Sequence, residues 1–234
     1  MTHVLFNLDD LKQKLARPCI SFEIGGFRPP DDPLASWFGR VNVCAKGEAW
    51  PETGKKPMHA LCQINLTVLP FRPLRLDDIA FITVFIGPNE LPDNDVNGAS
   101  WCLRAYKSTD ALIPLAQRET GTGMKSFPMR AQTAQTDFPC WEDVPIKLPE
   151  EIEEKYHDLF ENLSGFKLGG WPTLVQSEIH WSAGNKHPAK PEFVFQIDST
   201  EKGNWAWGDG GVGYFGRGTA PGKEDEWTIE WQCY

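Results

Sequence analysis

The feature that most limits the folds available to this chain is an order of short motifs that occurs twice. Phe22-Glu23-Ile24-Gly25-Gly26-Phe27 resembles Phe166-Lys167-Leu168-Gly169-Gly170-Trp171, and Gln63-Ile64-Asn65 resembles Gln196-Ile197-Asp198. Single residues then follow in the same order in both series: Phe85, Asp95 and Trp101 in the first, and Phe215, Asp225 and Trp231 in the second. Landmarks that keep one order favour an internal duplication over a chance match between two strand-turn patterns.

Each half is predicted to begin with an amphipathic helix. In the second half, apolar residues recur at helical spacing on one face, namely at Ile152, Tyr156, Leu159, Phe160 and Leu163. Pro149 suits the first turn of this helix, and Gly165 suits its end. Residues 8–15 align with this segment and predict the corresponding helix of the first half.

Segments rich in β-branched and aromatic residues follow each helix and predict six strands. They cover residues 60–69, 79–86, 100–106, 192–197, 211–215 and 227–233. The segments between them are too short for crossover helices, so the strands are expected to be antiparallel. Three strands and one helix are marginal alone, so the sequence predicts an α+β fold, a largely antiparallel sheet built from two pseudo-symmetric repeats that share one core, each with one helix. The single globular domain 1–234 would comprise a first repeat (1–106), a connector (107–148) and a second repeat (149–234).

The charge balance argues against two classes of partner. With 23 basic and 32 acidic side chains the net charge is −9, whereas proteins that bind nucleic acids or anionic membranes carry a basic surplus. No run of about 18 apolar residues is present to cross a bilayer, and residues 1–10 lack the features of a signal peptide. The six cysteines are too scattered for a Cys-x-x-Cys pair and are expected to be reduced. The sequence therefore predicts a cytoplasmic protein that binds neither nucleic acid nor membrane.

Motifs that would form a cofactor site or a catalytic site are weak. Gly208-Asp209-Gly210-Gly211-Val212-Gly213 matches the G-x-G-x-x-G spacing of dinucleotide sites, but a glycine-rich aromatic segment follows where a helix is required. A glycine-rich strand entry beside a packed tryptophan is the alternative. Glu178, His180 and His187 do not have the spacing of a usual zinc site. We therefore expect no cofactor, no metal and no catalytic residue.

Five acidic residues lie in loops at corresponding places of the two series, and they are the candidate partner-binding residues. They are Asp93, Asp95, Glu224, Asp225 and Glu226. Pro, Asn, Gly and Lys flank them, which indicates solvated loops rather than the desolvated carboxylate that acid–base catalysis needs. They are expected to lie side by side and to form a charged rim, and a solvated face without a partner is the alternative.

Trp205 and Trp207 are the candidate aromatic anchors of the same interface. The chain has 10 tryptophans, and these two lie near glycines in a predicted loop. Trp is enriched at binding hot spots. Core packing with a hydrogen-bonded indole N–H is the first alternative, and stacking on a carbohydrate is the second.

The motifs taken together resemble a known family. The Gly-Gly-aromatic motifs and three longer segments are similar to the YwqG-like bacterial domain of unknown function: Pro57-Met58-His59-Ala60-Leu61-Cys62-Gln63-Ile64-Asn65-Leu66, Phe193-Val194-Phe195-Gln196-Ile197-Asp198 and Trp207-Gly208-Asp209-Gly210-Gly211-Val212-Gly213-Tyr214. The resemblance runs from about residue 24 to the C-terminus, and the chain departs from it in the long connector 104–148. The family has no agreed activity or catalytic residues, so the resemblance transfers none. Some polymorphic-toxin systems, including type VI secretion systems, use members of this kind as immunity proteins, and the resemblance permits that role here.

The sequence thus predicts a non-enzymatic protein-binding protein, most concretely a cytoplasmic immunity protein that neutralises a secreted toxin by blocking its active site. A nuclease toxin would offer a basic groove to the acidic loops, and the protein is expected to be a monomer before a one-to-one complex forms. The alternative is an enzyme or a small-ligand-binding protein that uses a cleft between the two repeats. Gln63, Asn65, Gln196 and Asp198 could point into such a cleft, or they could cap strand ends.

Overall fold

The structure, a computed structural model, describes residues 7–132, 135–181 and 186–234. Its helices are α1 (Leu8–Leu15), α2 (Glu150–Glu153) and α3 (Tyr156–Leu159), with 3₁₀ turns at Leu66–Val68 and Trp141–Asp143. The strands are β1 (Arg17–Ile24), β2 (Trp37–Phe38), β3 (Val43–Ala45), β4 (Glu52–Thr53), β5 (Lys56–Pro57), β6 (His59–Asn65), β7 (Phe81–Ile86), β8 (Trp101–Tyr106), β9 (Leu112–Pro114), β10 (Phe127–Ala131), β11 (Gln135–Asp137), β12 (Lys167–Gly169), β13 (Glu192–Asp198), β14 (Val212–Arg217) and β15 (Trp227–Gln232). None of the helices in the described ranges is long and apolar enough to cross a membrane.

Eleven strands form one antiparallel sheet. Its order is β15-β14-β13-β12-β1-β10-β2-β6-β7-β8, and β11 pairs with the start of β1. Trp101 of the edge strand β8 and Trp227 of the edge strand β15 belong to one hydrophobic core. The ring of Trp101 also lies 6.3 Å from the ring of Phe215, which is next to β15 on β14. The sheet therefore curves until its two edges share a core, and it is nearly closed and barrel-like.

The expected α+β architecture with one helix in each repeat is wrong, and the protein is mainly β. α1 has eight residues, and the predicted second helix is divided into two four-residue helices, α2 and α3, around Lys155. The break falls at Lys155, whose φ of −117° and ψ of 13° lie outside the helical region. The acids Glu150, Glu151 and Glu153 lie in α2, at the start of the predicted helix, where the helix dipole favours negative charge. Part of the apolar stripe is still buried, since Tyr156 and Phe160 pack with Leu11 and Leu15 of α1 in a small cluster of their own, while Ile152 and Leu159 are partly buried against it.

The two Gly-Gly motifs are not equivalent positions of a repeat, contrary to the sequence prediction. They follow β1 and lie at the end of β12, and these two strands are hydrogen-bonded neighbours in the sheet. Phe22 N donates to Phe166 O at 2.9 Å, and the two phenyl rings are 5.1 Å apart. Their similar sequences reflect two adjacent strands that end in similar turns, because Gly25, Gly169 and the glycine after each have positive φ.

The Gln-Ile motifs, by contrast, occupy corresponding positions in two arms of the sheet. The arm β2-β6-β7-β8 and the arm β12-β13-β14-β15 pair in the same order. A register irregularity lies just before Gln63 in β6 and just before Gln196 in β13. Trp101 pairs with the last residue of β7 and Trp227 with the last residue of β14. Trp101 therefore corresponds to Trp227, and the predicted match with Trp231 is out of register.

The segment predicted as a connector, residues 107–148, contributes strands to the fold. β10 lies between β1 and β2 and joins the two arms, and β9 pairs with β3. Pro128 lies within β10, and its carbonyl accepts from Gly25 N at 2.8 Å. Proline is rare in central strands because it has no N–H to donate, so the sequence alone offered no reason to expect a central strand here.

Candidate functional site: an acidic cleft between two loops

Two loops that are far apart in the sequence line one cleft of about 520 Å³. One loop connects β7 to β8 and contributes Asn94, Asp95, Val96 and Asn97, and the other connects β14 to β15 and contributes Asp225 and Glu226. Each loop precedes an edge strand, so the near closure of the sheet brings them together. We call this site the acidic cleft. The structure thus places Asp95, Asp225 and Glu226 together, while Asp93 and Glu224 lie exposed on the same loops.

The loop before β8 is held to that strand by hydrogen bonds. The Trp101 indole Nε1 donates to Asp95 O at 2.8 Å, and Ser100 Oγ donates to the Asp95 carboxylate. Asn97 bonds the backbone of Leu103 twice, each at 2.8 Å. The fixed loop presents the carboxylates of Asp93 and Asp95 to solvent, and neither forms an ion pair with a described residue.

The loop before β15 is held by Arg217, a buried arginine at the end of β14. Its Nε donates to Glu224 O at 2.6 Å, and its Nη2 lies 3.2 Å from Asp225 Oδ1. The same guanidinium makes a bidentate pair with Asp78, at 2.6 and 2.9 Å, and its hydrogen bonds lower the pKa of that carboxyl. Asp225 remains 80% exposed, and Glu226 pairs with Lys223 at 2.7 Å.

Two histidines complete the wall of the acidic cleft. His180 N donates to Glu230 Oε2 at 2.7 Å, and its ring Nδ1 contacts the same oxygen. His187 Nδ1 accepts from Ala189 N at 3.1 Å. Over the described ranges, no group of three or more His, Cys, Asp or Glu side chains is arranged to hold a metal ion. The chemistry of the acidic cleft is therefore that of carboxylates facing water over a floor that includes Trp227 and is partly apolar.

Trp205 and Trp207 do not lie at the acidic cleft. Trp207 is fully buried, with its ring 6.4 Å from Phe215 in the main core. Trp205 is half-buried, packs edge-on against Trp207 at 5.1 Å and lines a separate depression. The burial of Trp207 agrees with the core-packing alternative, but its indole Nε1 has no hydrogen-bond partner among the described residues, so the hydrogen bond that this alternative included is not formed. An anchor role for Trp207 would need a ring that a partner can reach.

The glycine-rich motif before β14 serves close packing. A Cβ on Gly213 would collide with the Trp207 ring, and one on Gly211 would collide with Gln232 O. A strand, Val212–Arg217, begins where a dinucleotide site would require a helix. The strand-entry interpretation of the motif agrees with this geometry.

The four polar side chains expected near a cleft between the halves are used internally. The Gln63 amide accepts from Asn42 N at 2.6 Å, and the corresponding Gln196 accepts from Thr173 N at 2.8 Å. Asn65 Oδ1 accepts from Thr67 N at 2.9 Å and caps the 3₁₀ turn. Asp198 accepts from Gly165 N at 2.7 Å, and burial raises its pKa. These groups hold loops against the strand ends, as in the capping alternative.

Sequence analysis did not identify Arg217, although it positions one of the two acidic loops. Its signal was a charged residue that closes the strand Val212–Arg217, in which all six residues are buried. A buried arginine needs carboxylate or carbonyl partners. The sequence does not show which groups these partners are. The structure identifies Glu224 O and Asp225 among them because it places the end of the strand beside their loop.

The fold and the acidic cleft can be compared with known protein families. Residues 36–216 match a family described as Domain of unknown function (DUF1963). No curated protein matches the chain. The family match includes the loop before β8 and ends at Gly216, just before the loop that carries Asp225. Since this match covers more than half of the sequence, the chain belongs to the DUF1963 family, a family of domains of unknown function.

Proposed function

We propose that this protein is a non-enzymatic binding protein and that its acidic cleft takes a basic protein. One observation carries the proposal: the loops bearing Asp95 and Asp225, 130 residues apart in the sequence, line one cleft. The carboxylates of Asp93 and Asp95 have no cationic partner among the described residues, so their field extends into solvent. A cleft in which some of the exposed carboxylates are unpaired favours a cationic partner and accelerates its association.

Binding accounts for this geometry better than acid–base catalysis does. A catalytic carboxyl is normally desolvated so that it can hold or take a proton near neutral pH. Asp95, Asp225 and Glu226 are exposed, and Asp225 and Glu226 are joined to Arg217 and Lys223. The alternative is an enzyme or a ligand-binding protein that uses a cleft between the halves. The four side chains proposed for that cleft form hydrogen bonds to neighbouring loops, so they do not support this alternative.

The more specific form of the proposal is an immunity protein of the YwqG-like kind. It would act in the cytoplasm as a monomer and neutralise a secreted toxin by forming a one-to-one complex over its active site. A nuclease is the toxin class that suits the cleft best, since a groove that holds phosphates is basic. Fast electrostatic association and slow release are what such protection requires.

The experiment is titration calorimetry of the purified protein with the toxin encoded by the adjacent gene. A one-to-one complex with a Kd tighter than about 1 μM is expected, because weaker binding does not give the residence time that neutralisation needs. Failure to bind at that level would overturn the immunity role.

A charge-reversal pair tests the acidic cleft itself. Asp95→Lys with Asp225→Lys should slow association at least several-fold at low salt and reduce the dependence of the on-rate on salt. The matched control is Asp31→Lys with Glu119→Lys, which makes the same change in net charge at exposed acids outside the cleft. Equal on-rates for the two double variants would show that the cleft is not the interface.

A further inference from the structure

Trp141 lies at the centre of a surface that is separate from the acidic cleft. Its side chain is 38% exposed and opens the 3₁₀ turn Trp141–Asp143. Trp141 lines two grooves, a first of about 810 Å³ and a second of about 510 Å³. Ile146, 42% exposed, lines the second groove. We call this the Trp141 surface and define it by Trp141, Glu142, Ile146, Glu153, Asp158 and Glu161.

Trp141 packs against a cluster of contacting aromatic rings. Its ring contacts Tyr156 edge-on at 5.4 Å, and Tyr156 is stacked on Phe160 at 4.7 Å. Phe138 packs edge-on against Phe160 at 5.3 Å, and Tyr156 Oη donates to Pro139 O at 2.8 Å. A preformed surface of this kind loses little conformational entropy when a partner binds.

Acidic residues are concentrated in the segment that contributes most of this surface, and Lys147 is the one basic side chain among the described residues that line the smaller groove. Residues 142–161 contain eight acidic and two basic side chains, so they carry −6 of the total −9. The crowding has a local electrostatic effect: burial, together with the nearby charges of Glu178 and Glu142, raises the pKa of Asp143 to about 6. Isolated exposed apolar side chains are ordinary. Here two large ones adjoin grooves that are rimmed by acids, a combination that indicates an interaction site.

We propose that the Trp141 surface docks an arginine-bearing segment of a partner protein. A guanidinium can lie flat on an exposed indole ring while it pairs with a carboxylate. Glu142 is adjacent to Trp141 in the chain and lines both grooves, and Glu153 and Glu161 line one groove each. The ring and the acids therefore supply the two contacts that arginine recognition uses.

The same charge argument excludes the other large ligands. Nucleic acids and anionic membrane surfaces would meet a net charge of −6 within 20 residues, and their binding requires the opposite sign. An entirely apolar partner segment would leave the acids of the rim desolvated without counter-charges. A cationic polypeptide can stack on the Trp141 ring and also pair with the surrounding carboxylates.

The Trp141 surface goes beyond the proposed function, and it does not depend on the acidic cleft. Gln176, Ser177 and Glu178 line its second groove, and His180 lines the acidic cleft. The short segment 176–180 therefore separates the two sites. Variants that change one site leave the residues of the other untouched, so the two proposals can fail separately.

The test is fluorescence anisotropy of the full chain with a labelled dodecapeptide of alternating arginine and glycine, at low salt. A peptide with citrulline in place of arginine has nearly the same shape without the charge and should not bind. Trp141→Ala is expected to weaken binding about fivefold or more, while Trp141→Phe, which keeps an aromatic face, should retain most of it. Glu142→Lys should weaken binding further. Ile146→Ala and Ile113→Ala form a matched pair, since both residues are 42% exposed and only Ile146 lines the surface.

Each outcome decides the proposal. The proposal is supported if the Trp141→Ala and Ile146→Ala variants bind the arginine peptide more weakly while Ile113→Ala binds it like the wild type. Wild-type affinity in both Trp141→Ala and Glu142→Lys would overturn it, and so would equal binding of the arginine and citrulline peptides or no binding of either. Loss of binding only in the Asp95→Lys, Asp225→Lys variant would assign the peptide to the acidic cleft and overturn the Trp141 surface alone.

Discussion

The buried ion pair between Lys167 and Asp137 gives the sharpest prediction about stability. Lys167 Nζ lies 2.9 Å from Asp137 Oδ2, and both side chains have zero exposure. Asp137 also accepts from Leu163 N and Trp171 N, each at 2.8 Å, so it joins β11, β12 and the turn after β12. Lys167→Met keeps the volume of the aliphatic stem but leaves a buried carboxylate without its counter-ion. Removing one partner of such a pair costs about 3–5 kcal/mol, a large part of the roughly 5–15 kcal/mol that stabilises a typical protein.

Urea denaturation followed by tryptophan fluorescence measures this loss. For a chain of this length, about 3–5 kcal/mol corresponds to a midpoint roughly 1–2 M lower in urea and a Tm lower by roughly 6–20 °C. Lys223→Met is the matched control, because Lys223 pairs with Glu226 at 2.7 Å on the surface. Exposed pairs of this kind contribute about 0–1 kcal/mol. If the two variants unfold within about 1 kcal/mol of each other, the reasoning about the buried pair is refuted.

The structure also predicts how one acid, one thiol and one glycine behave. Asp143→Asn should raise the free energy of unfolding at pH 8 by about 1–2 kcal/mol, because the folded pKa of Asp143, about 6, lies above the unfolded value. The gain should shrink as the pH falls through 6 and vanish below about pH 4, and urea titrations at a series of pH values check this. Cys62 is fully buried and its thiol pKa is raised by burial, so Ellman's reagent should reach it only after unfolding; reaction as fast as that of Cys233 would contradict this. Gly213→Ala should lower the free energy of unfolding by about 1–3 kcal/mol, since the new Cβ meets the Trp207 ring, and an unchanged urea midpoint would show the ring can move aside.

The sequence predicted a helix or a strand well where the local residue pattern favoured one type of secondary structure. The strand around Gln63 is present as His59–Asn65, which is shorter than the expected 60–69, and the strand around Gln196 is present as Glu192–Asp198, one residue longer than the expected 192–197. The helix at 8–15 is present as Leu8–Leu15. The second helix is not continuous because the backbone leaves the helical conformation at Lys155, which the spacing of the apolar stripe does not reveal. The stripe still determined burial, since Tyr156 and Phe160 are in a hydrophobic cluster.

The candidate site was predictable only in part. The acids were placed in solvated loops at corresponding positions, and the structure does bring Asp95 and Asp225 to one cleft. Trp207 was an ambiguous case, because a tryptophan beside glycines fits an exposed anchor and a ring covered by glycines equally well. The missing Cβ of Gly213 leaves room for that ring, and only the coordinates show the two in contact.

The sequence by itself determined the main apolar strand segments, the turns at glycines and the acidic balance, because these depend on each residue and its near neighbours. The tertiary structure alone decided which strands are adjacent: β1 lies beside β12 although their similar motifs suggested equivalent positions. Pairing depends on contacts between residues more than 100 positions apart, such as Ser21 with Lys167 and Cys19 with Gly169, and no local pattern encodes them. The near closure of the sheet is the same kind of property, and it is what brings two distant acidic loops to one cleft.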